Sequence, residues 1–393
     1  MNNKNNVIND LKILSDRFAP SGIEDSVSCL ISENLKDLQE KGYKLYIDNI
    51  KNLFCIKKDL DGSSDKTDKK SDKINVIITT HMDEAGFIVT GINKNGDLKF
   101  DTTGQFSDKT LLSKTVVSDY NEKITDNKKA CGVISAKAVH LLSKEERNKY
   151  PTSSDLYIDI GASDKKEASD FVTPGDQFVF EPNFTVLGSN KVSGKALADR
   201  MGCLIVEQLL SDIESDIILK DKINLHTVFC AQRHIVSRGL KTALNNTNLQ
   251  GKNFDLIINI DSIDEEKAAE LYKENACMQE KSSDKNSVID KNMILLGFNK
   301  NSVLNPNLSK KISDIKKSIY NKKLENTVLF VEDEKKIENN ALSVISNKYP
   351  NALILNLYYI CKNKKTCFPV INLDSVDESI KSIKTILDIG EVL

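Results

Sequence analysis

The sequence lacks the features that would place it in a membrane or on nucleic acid. No apolar run approaches the roughly 20 residues that a membrane-spanning helix needs. The polar start, MNNKNNVINDLK, has neither the apolar segment nor the cleavage site of a secretory signal. The net charge is only −2, because 55 basic and 57 acidic residues are interleaved along the chain. Phosphate binding requires a concentrated basic surface. We therefore expect no membrane partner, no nucleic-acid partner and a cytoplasmic location.

Residues that form disulfides or bind metals are also scarce. The eight cysteines form no CxxC pair and no regular framework, so we expect reduced thiols. The chain has only four histidines, at positions 81, 140, 226 and 234. Any metal centre must therefore draw its imidazole ligands from a very small set.

The order of the predicted elements is typical of an α/β protein with an insertion. Apolar spacing predicts two helices, over residues 7–18 and 23–35, on either side of APSG. Strand-like runs follow, separated by the polar segment DLDGSSDKTDKKSDK, which predicts a mobile surface loop without chemistry. Residues 87–185 contain short β-like segments with Gly and Pro between them. From residue 186 helices alternate with apolar strands. We expect an α/β domain from residues 1–86 and 186–393, and a β-rich insertion over 87–185.

The stretch TTHMDEAGF contains a candidate metal ligand. The strand NVIITT brings His81 and Asp83 to its carboxyl end, where open α/β sheets place their ligand sites. An imidazole ligand oriented by a carboxylate is a familiar arrangement around zinc. A histidine at a strand end is equally often held by ordinary hydrogen bonds. This motif alone leaves both interpretations open.

Several longer motifs, in a fixed order, resemble one known family. They are APSGIED, HMDEAGF, GVISAKAVHLLSKEERNKYP, DLYIDIGASDKKEASDFVTPGDQFVFEPNF, KALADRMG and DLIINID. In order and spacing they are similar to the tetrahedral and glutamyl aminopeptidases, a family of dinuclear zinc or cobalt metallopeptidases. This family includes deblocking aminopeptidases and members labelled endoglucanases. The resemblance extends to about residue 262 and is faint beyond it.

The resemblance implies a fold, an assembly and a chemistry. The implied fold is a phosphorylase/hydrolase-like three-layer α/β peptidase domain with an inserted β-barrel dimerisation domain. The implied assembly is a homo-oligomer, either a dimer or a twelve-subunit shell. The implied reaction removes N-terminal residues from peptides. Two metal ions about 3.5–4 Å apart activate a water in such sites, and a Glu acts as general base.

Only part of the implied site is present in this chain. His81 matches a metal ligand, Asp83 matches the carboxylate that orients it, and Asp261 matches a terminal ligand of the same metal. The carboxylate that bridges the two metals is the first Asp of ALDDR in the family. This chain reads ALADR, so Ala198 stands at the bridge position and Asp199 remains beside it.

The remaining positions have changed more severely. The family motif resembles QEExGxRGA, whereas this chain reads QRHIVSRG from residue 232. Arg233 stands at the general-base position, where a guanidinium cannot accept a proton, and His234 replaces a Glu ligand. The family's last ligand is a histidine near the C-terminus, and no histidine follows position 234. Cys361 and Cys367 lie in the corresponding region, where we expect ordinary thiols.

Two hypotheses follow for the function. In the first, the chain is a pseudoenzyme that keeps assembly surfaces and possible peptide binding, and it pairs with copies of itself or with an active homologue. In the second, it is an active aminopeptidase with one rearranged metal site. At most one zinc or cobalt ion is expected, held by His81 and Asp261 and completed by His234 or Asp199. Arg233 is expected to pair with Asp83 and Asp261 in place of the lost metal charge, or else to face solvent.

Overall fold

A computed structural model describes residues 4–58, 73–118, 130–247, 249, 253–276, 294–298, 306–322, 328–331, 345 and 348–388. The segment predicted to be a mobile loop lies outside these residues, except for its last residue. The α-helices are α1 Lys4–Asp16, α2 Asp25–Asn34, α3 Lys165–Phe171, α4 Leu197–Ser215, α5 Ile217–Lys222, α6 Arg238–Leu244, α7 Glu265–Ala276, α8 Pro306–Asn321 and α9 Asp374–Asp388. None of these helices is long and apolar enough to cross a bilayer.

The strands fall into two groups. Those of the large sheet are β1 Tyr43–Ile47, β2 Leu53–Lys57, β3 Ile74–His81, β10 Thr185–Leu187, β11 Lys191–Ser193, β12 Ile223–Cys230, β13 Leu256–Asp264, β14 Ile294–Phe298, β15 Val328–Val331, β16 Leu353–Lys362 and β17 Val370–Asn372. Those of the second group are β4 Gly86–Ile92, β5 Leu98–Thr103, β6 Thr115–Ser118, β7 Ala130–Ala136, β8 Leu156–Asp159 and β9 Gln177–Phe180.

Four parallel strands form the middle of the large sheet. Strands β12, β3, β13 and β16 lie side by side in that order. Their sequences are nearly continuous apolar runs, as expected for strands covered on both faces. Val76 and Ile78 of β3 pack with the core that includes α1, α4 and α9. Ile77, between them, packs with α6 on the opposite face. The sheet therefore lies between two helical layers, as the α/β prediction requires.

The second group of strands closes into a barrel. Its order is β4-β5-β8-β7-β6-β9, and every neighbouring pair is antiparallel. Its interior contains a cluster of aromatic rings in which Phe87 stacks on Phe106 and meets Phe180 edge to face. The next strand, β10, already belongs to the large sheet. Closure of the barrel leaves these strands no free edge.

The register of the parallel strands brings distant residues to one edge. Cys230 of β12 is the partner of His81 of β3, so the segment after β12 begins level with the end of β3. Strand β13 continues three residues past Asp261. Its pairing with β3 stops at Asn259, while pairing with β16 continues. Asp261 therefore lies beside the end of β3 although it is inside a strand.

A buried ionic cluster joins this edge to the helices. Glu84 accepts hydrogen bonds from Lys195 Nζ, at 2.7 and 2.9 Å, and from Arg200 Nη2 at 2.8 Å. All three side chains are almost fully buried. Arg200 also donates to the carbonyls of Leu14 and Arg17, just before and after the end of α1. The cluster thus ties α1, the β3–β4 turn and the start of α4 together.

Removal of the carboxylate from this cluster should destabilise the fold. Glu84→Gln leaves two buried cations without a counter-charge, and loss of one partner from a buried pair typically costs about 3–5 kcal/mol. Urea unfolding should show that loss. Glu33→Gln is the control, because Glu33 forms an exposed pair with Lys36 and should change stability by less than about 1 kcal/mol. If Glu84→Gln and Glu33→Gln were equally stable, the stabilising role of the Glu84 carboxylate would be contradicted.

A second carboxyl, half-buried on α4, should make stability depend on pH. Burial raises the pKa of Glu207 on α4 to about 8, and Asn34 Nδ2 donates to its Oε2 at 3.2 Å. Since its ordinary pKa is lower, the folded protein binds the proton more tightly than the unfolded chain does. The free energy of unfolding should therefore decrease as the pH rises from about 5 to about 8. Glu207→Gln should flatten this decrease when the free energy of unfolding is measured by urea titration at several pH values. The role of Glu207 would be refuted if the variant had the same pH dependence as the wild type.

Candidate metal and peptide site

The structure brings the predicted site residues to the carboxyl edge of the parallel strands. They are His81 at the end of β3, Asp83 just after it, Asp199 in the first turn of α4, Arg233 and His234 after β12, and Asp261 on β13. All of them except Asp83 line one cavity of about 1060 Å³. Pockets of such size accommodate small ligands and short peptides.

His81 is held in a fixed orientation by its neighbours. Its Nδ1 lies 3.2 Å from Asp83 Oδ1, which leaves Nε2 directed toward Asp261 Oδ1 at 3.6 Å. Burial by itself would lower the pKa of His81, but hydrogen bonds and charges from Asp261 and Asp83 outweigh it and raise the pKa to about 9. Ser21 Oγ donates to the other oxygen of Asp83 at 2.5 Å.

Three side chains form a donor set for a metal ion. His81 Nε2, Asp199 Oδ1 and a nitrogen of His234 lie within 4.8 Å of one another. Asp199 Oδ1 is 3.9 Å from His81 Nε2 and 3.3 Å from His234 Nε2. The two imidazole rings are nearly perpendicular, with centroids 5.7 Å apart. His234 Nε2 is buried and, within the described part of the chain, makes no hydrogen bond in addition to its 3.3 Å approach to Asp199. Two imidazoles and one carboxylate fit one divalent ion such as zinc.

Ala198 and Asp199 differ in what they contact. Ala198, at the bridge position, is buried, and its carbonyl oxygen accepts a hydrogen bond from Tyr359 Oη at 2.9 Å. Asp199 instead places its carboxylate between the two histidines. Burial opposes its ionisation, but His234 and His81 lower the pKa of Asp199 below its ordinary value. Asp199, which remains beside the position of the bridging carboxylate, thus lies where it can contact both imidazoles.

Two cations contact Asp261, which also lies beside His81. Arg233 Nη2 is 3.2 Å from Asp261 Oδ2, and Lys364 Nζ is 3.7 Å from Asp261 Oδ1. Burial would raise the pKa of Asp261, but Lys364 and Arg233 hold it well below the ordinary value. Burial likewise opposes the charge on Arg233, yet Asp261 and Asp83 raise its pKa. Arg233 is therefore a permanent cation of the cavity and is not directed away from it.

Lys364 was missed by the sequence reasoning. It lies in the turn after β16, two residues beyond the end of that strand, and donates to the carbonyl of Ser262 at 2.7 Å. The only signal was its place in the stretch LYYICKNKKTCFPV, which stands where the family has its last histidine. Nothing in a lysine near a strand end predicts a contact with Asp261. Cys361 is buried in the core, which raises the pKa of its thiol and leaves it a poor ligand.

The segment that bears Arg233 and His234 is anchored by three side chains. The backbone amide of Ala231 donates to Asn52 Oδ1 at 2.8 Å, and that of Gln232 donates to Glu24 Oε1 at 2.9 Å. The amide of His234 donates to Asp83 Oδ2 at 3.0 Å.

The backbone of this segment is strained. Gln232, Val236 and Ser237 all have φ values near +50°, which is costly for residues other than glycine. The hydrogen bonds that the backbone amides donate to Asn52, Glu24 and Asp83 compensate for that strain. Burial, followed by the charge of Asp83, raises the pKa of Glu24 to about 7. Glu24 is a second residue that the sequence reasoning did not identify as part of the site.

Comparisons with known proteins agree with the fold. A family model described as M42 glutamyl aminopeptidase matches residues 64–321. The putative aminopeptidase FrvX of Escherichia coli K12 is 30% identical over 175 residues, 43% of this chain and 45% of that protein. A putative aminopeptidase of Acetivibrio thermocellus is 30% identical over 233 residues, 59% of this chain and 60% of that protein. The chain thus spans roughly half the length of the curated relatives it matches.

Solved structures resemble the whole chain. An aminopeptidase of Desulfurococcus kamchatkensis superposes with a TM-score of 0.75 at 20% identity, covering 99% of this chain and 97% of that one. The TET1 peptidase of Pyrococcus horikoshii gives a TM-score of 0.68 at 21% identity, covering 97% and 99%. At such identities the likeness demonstrates the fold alone. The match to the family model covers more than half of the chain, and the chain therefore belongs to the M42 glutamyl aminopeptidase family.

Proposed function

We propose that this protein is a hydrolytically impaired member of its family. In this proposal the cavity binds one divalent ion at His81, Asp199 and His234, whereas Asp261, which the sequence suggested as a ligand, pairs with Arg233. The cavity accommodates peptides but cleaves them poorly or not at all. The observation that carries the proposal is the pairing of Arg233 with Asp261 at 3.2 Å, at the position where the resemblance implies a general base. A guanidinium stays protonated at any working pH and cannot take a proton from water.

Three carboxylates beside the site already have other partners. Glu84 is enclosed by Lys195 and Arg200, and Asp261 is contacted by Arg233 and Lys364. Asp83 accepts from Ser21 and from the amide of His234. Lys364 and Arg233 hold the pKa of Asp261 well below its ordinary value, which makes this carboxylate a weak base. Asp261 is therefore better suited to pair with cations than to accept a proton from water.

The cations also limit the number of metal ions. His81, Asp199 and His234 would hold a divalent ion, which would supply Lewis acidity at the cavity. A second divalent ion beside Asp261 would compete with two permanent positive charges already within 4 Å of that carboxylate. We therefore propose one zinc or cobalt ion per chain, with Arg233 and Lys364 in place of the charge of another ion.

The three-donor set itself favours a second candidate function. Two histidines and one carboxylate are the protein ligands of several catalytic zinc sites. An active aminopeptidase with a single rearranged ion is the alternative, and it would need a proton acceptor supplied by the substrate or by a ligand.

Assembly of this chain is a further part of the proposal. The TET1 peptidase of Pyrococcus horikoshii, which shares the fold, can assemble into a tetrahedron or an octahedral shell. We propose that this chain forms a homo-oligomer, a dimer or a dodecamer, or a mixed oligomer with an active homologue. The division into residues 1–86 with 186–393 and an inserted unit over 87–185, used for oligomerisation, belongs to this proposal. So does a cytoplasmic location.

Metal content and turnover should be measured together. We expect about one zinc or cobalt ion per chain and hydrolysis of aminoacyl-anilides at least about 10²–10⁴-fold below that of an active family member, the usual effect of losing a general base. His81→Ala should lose the ion, and His226→Ala, which changes a buried histidine of β12 away from the cavity, should keep it. Efficient turnover that His81→Ala abolishes would refute the impairment.

Replacement of Arg233 should expose its electrostatic role. Arg233→Gln removes a charged hydrogen bond to Asp261 and should cost about 1.5–3 kcal/mol in the metal-free protein. Added zinc should then stabilise this variant more than it stabilises the wild type. Arg238→Gln is the matched control, since Arg238 is exposed in the same segment and donates to the neutral Gln232. If Arg233→Gln destabilised the metal-free protein no more than Arg238→Gln does, the electrostatic role of Arg233 would be refuted.

A further inference from the structure

A glycine of the barrel lies against one of the proposed metal ligands. Gly104 follows β5 and has a φ of +100°. A Cβ atom at this position would lie 2.9 Å from His234 Nδ1 and 3.2 Å from His234 Cγ, and 2.7 Å from the Cβ of Ala85. Real Cβ atoms do not approach other heavy atoms within 3.0 Å. The absence of a side chain at Gly104 therefore makes the observed position of the His234 ring possible.

The imidazole of His234 is confined from three directions. Its backbone amide donates to Asp83 Oδ2 at 3.0 Å, which locates the start of the side chain. Its Nδ1 edge faces Gly104, and its Nε2 faces Asp199 Oδ1 at 3.3 Å. A group that displaced the ring from Gly104 would therefore change the distance between His234 Nε2 and the other donors.

We infer that Gly104 is a positioning residue that sets the His234 imidazole against Asp199, and that the barrel thereby helps to form the donor set of the α/β unit. The part of this inference that concerns metal affinity rests on the proposed one-ion site. The part that concerns the ring position does not. Gly104 contacts the ring itself, so its effect is separate from the ionic contacts of Asp83 and Asp199.

The barrel contains a matched control for backbone strain. Gly175 has a φ of +102°, and a Cβ atom there would have no heavy atom within 4 Å. Gly104→Ala and Gly175→Ala therefore impose the same left-handed conformation on an alanine. Only the first adds an atom against His234 and Ala85. The difference between the two variants isolates the contact from the strain.

The ring position can be tested on the metal-free full chain. Protein labelled with ¹³Cε1-histidine has one signal for each of the four histidines, and His234→Gln assigns the signal of His234. Gly104→Ala should shift that signal and leave those of His140 and His226 in place, while Gly175→Ala should shift none of them. An unmoved His234 signal in Gly104→Ala, or an equal shift in both variants, would overturn the inference.

The metal affinity is tested by titration with Co²⁺ alone, followed by its d–d absorption. Gly104→Ala should weaken binding by about 10- to 100-fold, as other changes beside metal ligands do, and should alter the spectrum. Gly175→Ala should match the wild type. Equal affinity and spectra in Gly104→Ala and wild type would overturn the inference. Failure of the wild type to bind Co²⁺ would instead refute the proposed one-ion site, and the histidine signals would still decide the role of Gly104.

If Gly104→Ala does not fold, a double variant decides the question. His234→Ala in that background removes the ring that the new Cβ would meet, and it should restore much of the thermal stability relative to Gly104→Ala. A double variant as unstable as the single one would show that Ala85, and not His234, requires the glycine. That result would also overturn the inference.

Discussion

The carboxylate of Glu84 is buried between Lys195 and Arg200, and three parts of the chain meet there. A buried charge is tolerable only when it is paired and hydrogen-bonded, so each of these residues requires the other two. Glu84 lies three residues after His81, and Arg200 directly follows Asp199. The same ionic contacts that hold α1 and α4 to the sheet therefore bring an imidazole and a carboxylate of the cavity into proximity. Stability and site geometry depend on one cluster.

The cavity combines negative groups with cations of two kinds. Asp83, Asp199 and Asp261 would be costly to bury as bare anions. Arg233 and Lys364 supply positive charge beside Asp261, and His81 or a divalent ion can supply it beside Asp199. Permanent cations neutralise a carboxylate as a metal does, but they do not activate water. Under the proposed function, these cations stabilise the cavity without supplying the chemistry of a metal.

The segment after β12 shows how side chains from other elements compensate for local strain. Three of its residues occupy the left-handed region without being glycine. Its amides are held by Asn52, Glu24 and Asp83, and an added Cβ at Gly239 would collide with the carbonyl of Ala231 at 1.9 Å. Strained backbone persists only where its surroundings compensate for it, and such sites are often functional. Here the strain directs Arg233 and His234 into the cavity.

The sequence by itself determined the α/β pattern, the β-rich insertion and the presence of His81 at a strand end. It also determined that no glutamate stands between residues 215 and 264 and that no histidine follows His234. Only the tertiary structure decided that Asp199 faces both imidazoles, that Lys364 reaches Asp261 and that Gly104 admits the ring of His234. These contacts join residues from 35 to 130 positions apart in the chain. Local patterns predict which face of a strand is buried, but they do not specify which side chains of other elements will contact it.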